Sequence, residues 1–190
     1  MGTRGAVGFK VDDKYFVTYN HYDSYPDGLG VEVVDFCYKV EDWDQLKENI
    51  RKIELVKEDD CPTKEQIKEC KKSTNLNVGD QSTTDWYCLL RGAQGVEGFE
   101  AIYNSGLKYM IDNFEFLKDS LFCEYAYIIN LDTMKLEFYQ GFNKSVDENS
   151  PLPFEQVGDK SGYYPVRFKG SCSLNDIPDD WIKKFYPEEE

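Results

Sequence analysis

Residues 124–140, EYAYIINLDTMKLEFYQ, decide the fold class of this chain. Glu124–Asn130 and Lys135–Gln140 are rich in aromatic and β-branched residues, and Leu131–Met134 between them suits a tight turn. The pattern predicts a β-hairpin in the C-terminal half. Tyr164–Lys169 predicts one further strand after it.

A second hairpin is predicted at the N-terminus. Ala6–Lys10 and Tyr15–Tyr19 are short β-rich runs, separated by the turn-like residues Val11–Lys14. Asn20–Gly30 then breaks the strand pattern with Asp, Ser, Pro and Gly residues, which predicts a loop. We expect the N-terminal hairpin to join the C-terminal strands in one antiparallel sheet.

The middle of the chain is predicted to be mostly helical. Asp42 with Gln45, and Thr63 with Gln66, resemble capping boxes at two helix starts. Apolar residues at helical spacing predict helices over residues 29–40, 42–56, 63–72, 85–94, 98–105, 114–121 and 178–186. The sequence therefore predicts a single α+β domain over residues 1–190, with a short acidic tail at 187–190.

Composition excludes several classes of protein. With 22 basic and 36 acidic residues the formal net charge is -14, which disfavours direct binding to nucleic acid or anionic lipid. No run is apolar enough to span a membrane, and residues 1–7 lack a signal-peptide core, so we expect a cytoplasmic protein. Six scattered cysteines with one histidine predict free thiols, with no metal site and no cofactor.

The only histidine, His21, marks the first candidate site. His21 and Asp23 stand two residues apart, a spacing that could orient the imidazole for acid–base work, although no nucleophile is paired with them. The alternative is that the loop is simply an ordered turn. Tyr25 and Asp27 follow in the same loop, where they are poor core material and suit a ligand or partner surface.

Arginines supply the cations of the candidate site. Residues 91–95, RGAQG, combine the planar cation Arg91 with an amide, groups that recognise a carboxylate or phosphate, although a helix C-cap with Gly92 or Gly95 in the left-handed conformation is the simpler interpretation. Arg4 lies near the loop in sequence. Fourteen tyrosines exceed what a small core needs and favour recognition over catalysis. The candidate ligand- or partner-binding residues are Arg4, His21, Asp23, Tyr25, Asp27 and Arg91, with no catalytic residue assigned.

Thr3 supports an alternative hypothesis of an enzyme. Hydrolases with an N-terminal nucleophile begin on a strand with Thr, Ser or Cys, and Thr3 followed by the predicted hairpin has that outline. Removal of Met1 would leave Gly2 at the terminus, so Thr3 would lack the free amine that activates such a nucleophile. A hydrolase or amidotransferase of this type, active or degenerate, is the second hypothesis.

Four segments resemble a family of small bacterial, phage and prophage proteins for which no activity is established: GTRGAVGF, YNHYDSYPDGLG, DWYCLLRGAQG and EYAYIINLDTMKLEFYQGF. The resemblance implies no catalytic residue. It implies the setting of a mobile-element accessory factor, a class that often binds or inhibits a host protein or sequesters a small signalling molecule. We therefore expect a non-catalytic, acidic binding protein with a protein partner or a small ligand, for which a nucleotide held by Arg4, Arg91 and stacking is one option.

Overall fold

The computed structural model describes residues 2–187, and its centre is a five-stranded sheet. Within those residues the strands are β1 (Gly5–Val11), β2 (Lys14–Asn20), β3 (Glu54–Val56), β4 (Tyr109–Ile111), β5 (Tyr125–Asn130), β6 (Lys135–Gln140) and β7 (Arg167–Ser173). The main sheet has the order β2-β1-β5-β6-β7, and β3 pairs with β4 in a small second sheet.

Helices occupy the middle and the end of the described chain. They are α1 (Val31–Lys39), α2 (Trp43–Arg51), α3 (Lys64–Glu69), α4 (Trp86–Leu89), α5 (Gly95–Ser105) and α6 (Trp181–Phe185). The Asp42 side chain accepts a hydrogen bond from Gln45 N at the start of α2, and Thr63 forms a full capping box with Gln66 at the start of α3. The predicted α+β class is confirmed.

The main sheet is mixed, whereas the sequence suggested a wholly antiparallel one. The N-terminal hairpin does join the C-terminal strands, but β1 pairs with β5 in parallel, with Gly5 opposite Tyr125. The other three pairings are antiparallel. β2 brings the chain back to the end of the sheet where β1 begins, with Asn20 opposite Gly5, and the helical excursion leaves from and returns to that end, so β5 runs parallel to β1.

Both faces of the main sheet are covered. Alternate residues of β1 point to opposite sides, so Val7 and Phe9 pack with the core formed by α1, α2, α5 and α6, while Ala6 packs on the other side. That second core holds Leu117, from a 3-10 helix at Phe114–Lys118 after β4, and Val166, from the irregular segment after β6. The cores of the two faces explain why the central strands are almost continuously buried.

The two hairpin turns of the main sheet are joined to each other. Asp12 and Asp13, at the β1–β2 turn, have left-handed backbone angles of φ 52° and 60°. Their backbone N–H groups donate to the carboxylate of Asp132, in the β5–β6 turn, over 2.8 and 2.9 Å. A single carboxylate therefore fixes one hairpin turn against the other.

Several predicted bounds differ from the structure. The helix expected to reach Val56 ends at Arg51, because β3 begins at Glu54. The helix expected over 85–94 ends at Leu89 and is followed by a short 3-10 turn at Arg91–Ala93. The last strand is Arg167–Ser173, shifted from the predicted 164–169, and it contains Gly170 at φ 137° beside a register shift.

The described chain contains no helix that is both long and apolar enough to cross a bilayer. All six cysteines are free thiols, and of these only Cys61 is exposed. Burial raises the pKa of the Cys70 and Cys172 thiols to about 11. Residues 188–190, which make up most of the expected acidic tail, lie outside the described residues.

Candidate binding cleft

The loop after β2 is anchored through its alternate residues. Ser24 and Pro26 are buried, whereas His21, Asp23 and Tyr25 are exposed. The Ser24 backbone N–H donates to the Thr3 carbonyl over 3.2 Å, and the Ser24 carbonyl accepts from the Tyr127 hydroxyl over 3.0 Å. The sheet therefore fixes the loop and leaves its titratable side chains facing solvent.

This loop forms one wall of a cleft of about 290 Å³, and residues 91–97 form the opposite wall. His21 and Asp23 line it from the loop, and Arg91 and Gln94 line it from the far wall. Glu32 of α1 and Glu97 of α5 complete its rim. Three predicted site residues, His21, Asp23 and Arg91, are thus brought together although 70 residues separate the two segments.

Gly95 allows the two walls to approach each other. Its φ of 58° lies in the left-handed region, and a Cβ placed there would come within 2.8 Å of the Asn20 Oδ1 atom. Both the backbone conformation and the close contact require glycine. Gly95 has the left-handed conformation that the helix C-cap interpretation expected after the 3-10 turn at Arg91–Ala93, and it also opens α5.

Arg91 is the best-positioned cation of the cleft. Its Nη1 donates to Gln94 Oε1 over 2.8 Å, and its guanidinium carbon lies 5.9 Å from the centroid of the Tyr87 ring. Its Nε is shielded from solvent and has no hydrogen-bond partner within the described chain. Gln94 is itself only 8% exposed. The Arg91 head group is therefore held on one side, with a donor left unsatisfied on the other.

A second lobe of about 340 Å³ adjoins the first and shares His21 and Gln94 with it. Its walls are largely aromatic: Tyr19 and Phe116 meet edge to face with ring centroids 5.3 Å apart, and Tyr87 faces them. The Tyr19 hydroxyl lies 3.1 Å from His21 Nδ1, in hydrogen-bond contact. His21 thus stands where a polar lobe and an aromatic lobe meet.

The charges of the cleft are separated. Burial raises the pKa of Tyr19, while the positive charges of Arg4 and Arg91 act in the opposite direction. At the rim, burial and then the neighbouring Glu97 and Asp23 carboxylates raise the pKa of Glu32. Arg91 is therefore the one cation among the described lining residues, and the rim carries the clustered negative charge of three carboxylates.

The structure places the remaining predicted residues outside this cleft. Arg4 stacks over the Phe122 ring, with its guanidinium carbon 4.7 Å from the centroid. The Tyr25 ring packs 5.9 Å from that of Tyr125, and Asp27 is exposed in the Pro26–Gly30 turn. Arg4 therefore affects the cleft only electrostatically, through the influence of its charge on the pKa of Tyr19. Tyr25 and Asp27 belong to a separate surface.

Thr3, the residue of the enzyme hypothesis, is buried at the start of the sheet and is only 3% exposed. Its carbonyl accepts a hydrogen bond from Ser24, and the following residues form the β1–β2 hairpin as that hypothesis expected. Thr3 does not line either lobe described above. Its hydroxyl is thus separate from the candidate cleft.

Sequence analysis did not find several residues that shape the cleft. The amide of the 91–95 segment is Gln94, whose contact with Arg91 was not foreseen. Glu32 and Glu97 lie on helices, where a carboxylate usually marks a solvated face, and they reveal a shared rim only once α1 and α5 are packed. The aromatic residues Tyr19, Tyr87 and Phe116 come from three distant segments, and no sequence pattern connects them.

Within residues 2–187, no group of three or more His, Cys, Asp or Glu side chains is arranged to hold a metal ion. Comparisons with protein-family models, curated proteins and solved structures give no match. Function is therefore inferred from the residues and geometry of this chain.

Proposed function

We propose that this chain is a non-catalytic binding protein that holds a small molecule carrying an oxyanion and a planar ring in the two-lobed cleft. The observation that carries the proposal is the hydrogen bonding of the Arg91 guanidinium group. Gln94 holds Nη1, and the Nε edge has a shielded donor with no partner in the described chain. Because Nε is closed to solvent, an oxyanion would contact the guanidinium at its outer nitrogens, and Nε would join that contact only after a shift of the side chain.

The start of α5 adds further donors on the same wall. Its N-cap residue is Gln94, and no side chain caps the first backbone N–H groups. These groups favour an anion, although the Glu97 carboxylate in the first turn of α5 offsets part of the positive end of the helix dipole. Arg91, Gln94 and the start of α5 thus support the same ligand group.

The second lobe supports the ring of the ligand. Tyr19, Tyr87 and Phe116 offer aromatic faces, and Ile111 adds apolar surface. At the rim, Asp23, Glu32 and Glu97, the last of them in the first turn of α5, would repel a chain of phosphates but would accept hydrogen bonds from hydroxyl or amino groups. The favoured ligand has one anionic group, a ring and polar donors, as a nucleoside monophosphate does.

This proposal agrees with the small-molecule branch of the accessory-factor hypothesis, in which the protein removes a signalling molecule from solution. A protein partner is the second candidate. Tyr22 is 58% exposed and Tyr25 is 47% exposed on the loop that carries the cleft wall. Exposed tyrosines supply rigid contact area for a protein interface at low entropic cost.

Isothermal titration calorimetry with adenosine monophosphate, adenosine and inorganic phosphate tests the proposal. The monophosphate should bind more tightly than either fragment, because only it fills both lobes. Arg91→Gln should weaken binding by about tenfold or more, as expected for a charge-assisted hydrogen bond. Arg51→Gln is the matched control, since Arg51 pairs with Asp12 and Glu48 on another surface.

Native mass spectrometry of protein purified from its own host separates the two candidates. A co-purified small molecule supports the proposed cleft, and a bound host protein supports the second candidate. The same spectrum tests the enzyme hypothesis. We expect Gly2 to be retained, and a mature chain beginning at Thr3 would instead supply the free amine that a nucleophile of this type needs.

A further inference from the structure

The second half of α5 borders a basic groove on this otherwise acidic chain. The groove has a volume of about 860 Å³ and is lined by Lys68, Lys71, Lys72 and Lys108, with Glu69 as the carboxylate among its described lining residues. All four lysines are exposed. Within residues 2–187 none of them lies within 4.0 Å of a carboxylate. The groove thus carries unneutralised positive charge.

The first half of α5 borders an acidic patch, whose cavity of about 170 Å³ is smaller than the groove. Glu32 and Asp35 of α1 face Glu97 and Glu100 of α5, and Lys39 is the cation among them. Lys39 pairs with Glu100 over 3.3 Å. The patch therefore holds four carboxylates and one lysine, the inverse of the four lysines and one carboxylate of the groove.

Both surfaces share the exposed side of α5. Glu97, Ala101 and Ser105 are four residues apart in sequence and therefore lie on one side of the helix. Ala101 and Ser105 line the basic groove, whereas Glu97 lines the acidic patch. At a rise of about 1.5 Å per residue, Glu97 and Ser105 are roughly 12 Å apart along the axis. A two-fold axis midway between the patches would place each on its counterpart in a second copy.

We propose that this face of α5 binds a second copy of the same chain in a two-fold dimer. The acidic patch of each copy lies against the basic groove of its partner, so every charge contact occurs twice. Ala101 and Ser105, the α5 residues on the groove side, are small and allow the helices to approach closely. Glu32 and Glu97 line both this interface and the rim of the proposed ligand cleft, but the dimer requires no bound ligand.

Charge complementarity also explains why a second copy of the chain, rather than a free anion, is favoured as the occupant of the basic groove. The groove contains the C-terminal end of α5 at Ser105 and Gly106, and the negative end of a helix dipole opposes a small anion. Carboxylates presented by a folded patch can instead meet the lysines at the rim. The net charge of each chain opposes association only weakly at contact, because physiological salt screens charges beyond about 8 Å.

Sedimentation velocity of the full chain at about 100 μM tests the proposal through two charge reversals. K71E/K72E makes the groove acidic, and D35K/E100K makes the patch basic. Each variant alone should be a monomer, with its dimer dissociation constant raised by about tenfold or more. An equimolar mixture should form a heterodimer, because the acidic face of one variant then meets the basic face of the other.

K135E/K160E is the matched control, since it changes the net charge exactly as K71E/K72E does but at exposed lysines outside both patches. It should remain a dimer. A wild-type monomer at this concentration, a dimer that survives both reversals, or a mixture that fails to pair would each overturn the proposal. Assemblies larger than a dimer would contradict its two-fold symmetry.

Discussion

The Tyr127 hydroxyl donates a hydrogen bond of 3.0 Å to the carbonyl oxygen of Ser24, and both residues are fully buried. Tyr127 lies on the central strand β5, and Ser24 lies in the loop that forms one wall of the cleft. A single contact across 103 residues thus connects the rigid centre of the sheet to the candidate site.

Tyr127→Phe should lower the free energy of unfolding by about 1–2 kcal/mol, because the Ser24 carbonyl loses a buried donor. Urea unfolding followed by circular dichroism measures the change. Tyr38→Phe serves as the control, since Tyr38 is 61% exposed and its hydrogen bond to the Ile177 carbonyl is long at 3.4 Å. Equal losses in the two variants would show that the Tyr127 contact does not hold the loop.

Asp23→Asn and Asp27→Ala should each shift the melting temperature by less than about 3 °C, because both side chains are exposed. Asp23 has a left-handed φ of 61°, which asparagine also tolerates, so Asp23→Asn removes charge without adding backbone strain. Of the two, only Asp23→Asn should alter ligand binding, since Asp23 lines the cleft and Asp27 does not. A loss of several degrees in both variants with unchanged binding would refute a surface role for the loop.

Asp85→Ala should cost about 1 kcal/mol at neutral pH, because Asp85 caps the start of α4. Burial opposes ionisation of Asp85, but backbone N–H groups of Asp80 and Tyr87 outweigh it and hold the carboxyl pKa below its usual value. This stabilisation is fully present above the unfolded-state pKa of about 3.9 and disappears as the pH falls through the lower folded value. The difference in unfolding free energy between the wild type and the variant should therefore be smaller at pH 3 than at pH 7.

Cys61 should be the first thiol to react with an aromatic disulfide reagent under native conditions near pH 8. It is exposed, whereas the other five cysteines are buried, and burial raises the pKa of each of those thiols. All six should react once the protein is unfolded in guanidinium chloride. Cys61→Ser should abolish the fast phase, and a fast phase that persists in this variant would contradict the assignment.

Local sequence patterns predicted the helices and strands that are encoded by residues close together in the sequence. Lys135–Gln140 was located exactly, and the capping pair Thr63–Gln66 was found because its two partners are three residues apart. The β3–β4 pair was missed, since each strand has three residues and its partner lies 55 positions away. The parallel β1–β5 pairing was missed for the same reason: strand periodicity gives the face of a residue but not the direction of a distant neighbour.

The candidate cleft was predicted only in part. His21, Asp23 and Arg91 were chosen for their chemistry, and the fold brings them together. Arg4 was chosen for its proximity to the loop in sequence, but it stacks on Phe122, and Tyr25 and Asp27 were chosen as poor core material, but they lie on a separate surface at the Pro26–Gly30 turn. Sequence shows which side chains can bind an anion, whereas only packing shows which of them share one cavity.

The parallel β1–β5 pairing also sets the order in which the chain can fold during synthesis. Gly5 pairs with Tyr125, so the two central strands of the sheet cannot meet until 120 further residues have been made. At about 5–20 residues per second, the N-terminal hairpin waits roughly 6–24 s on the ribosome with one long edge unpaired. An unpaired apolar edge attracts other nascent strands. The protein should therefore depend on chaperones that shield emerging chains, and it should aggregate when translation is slowed between β2 and β5.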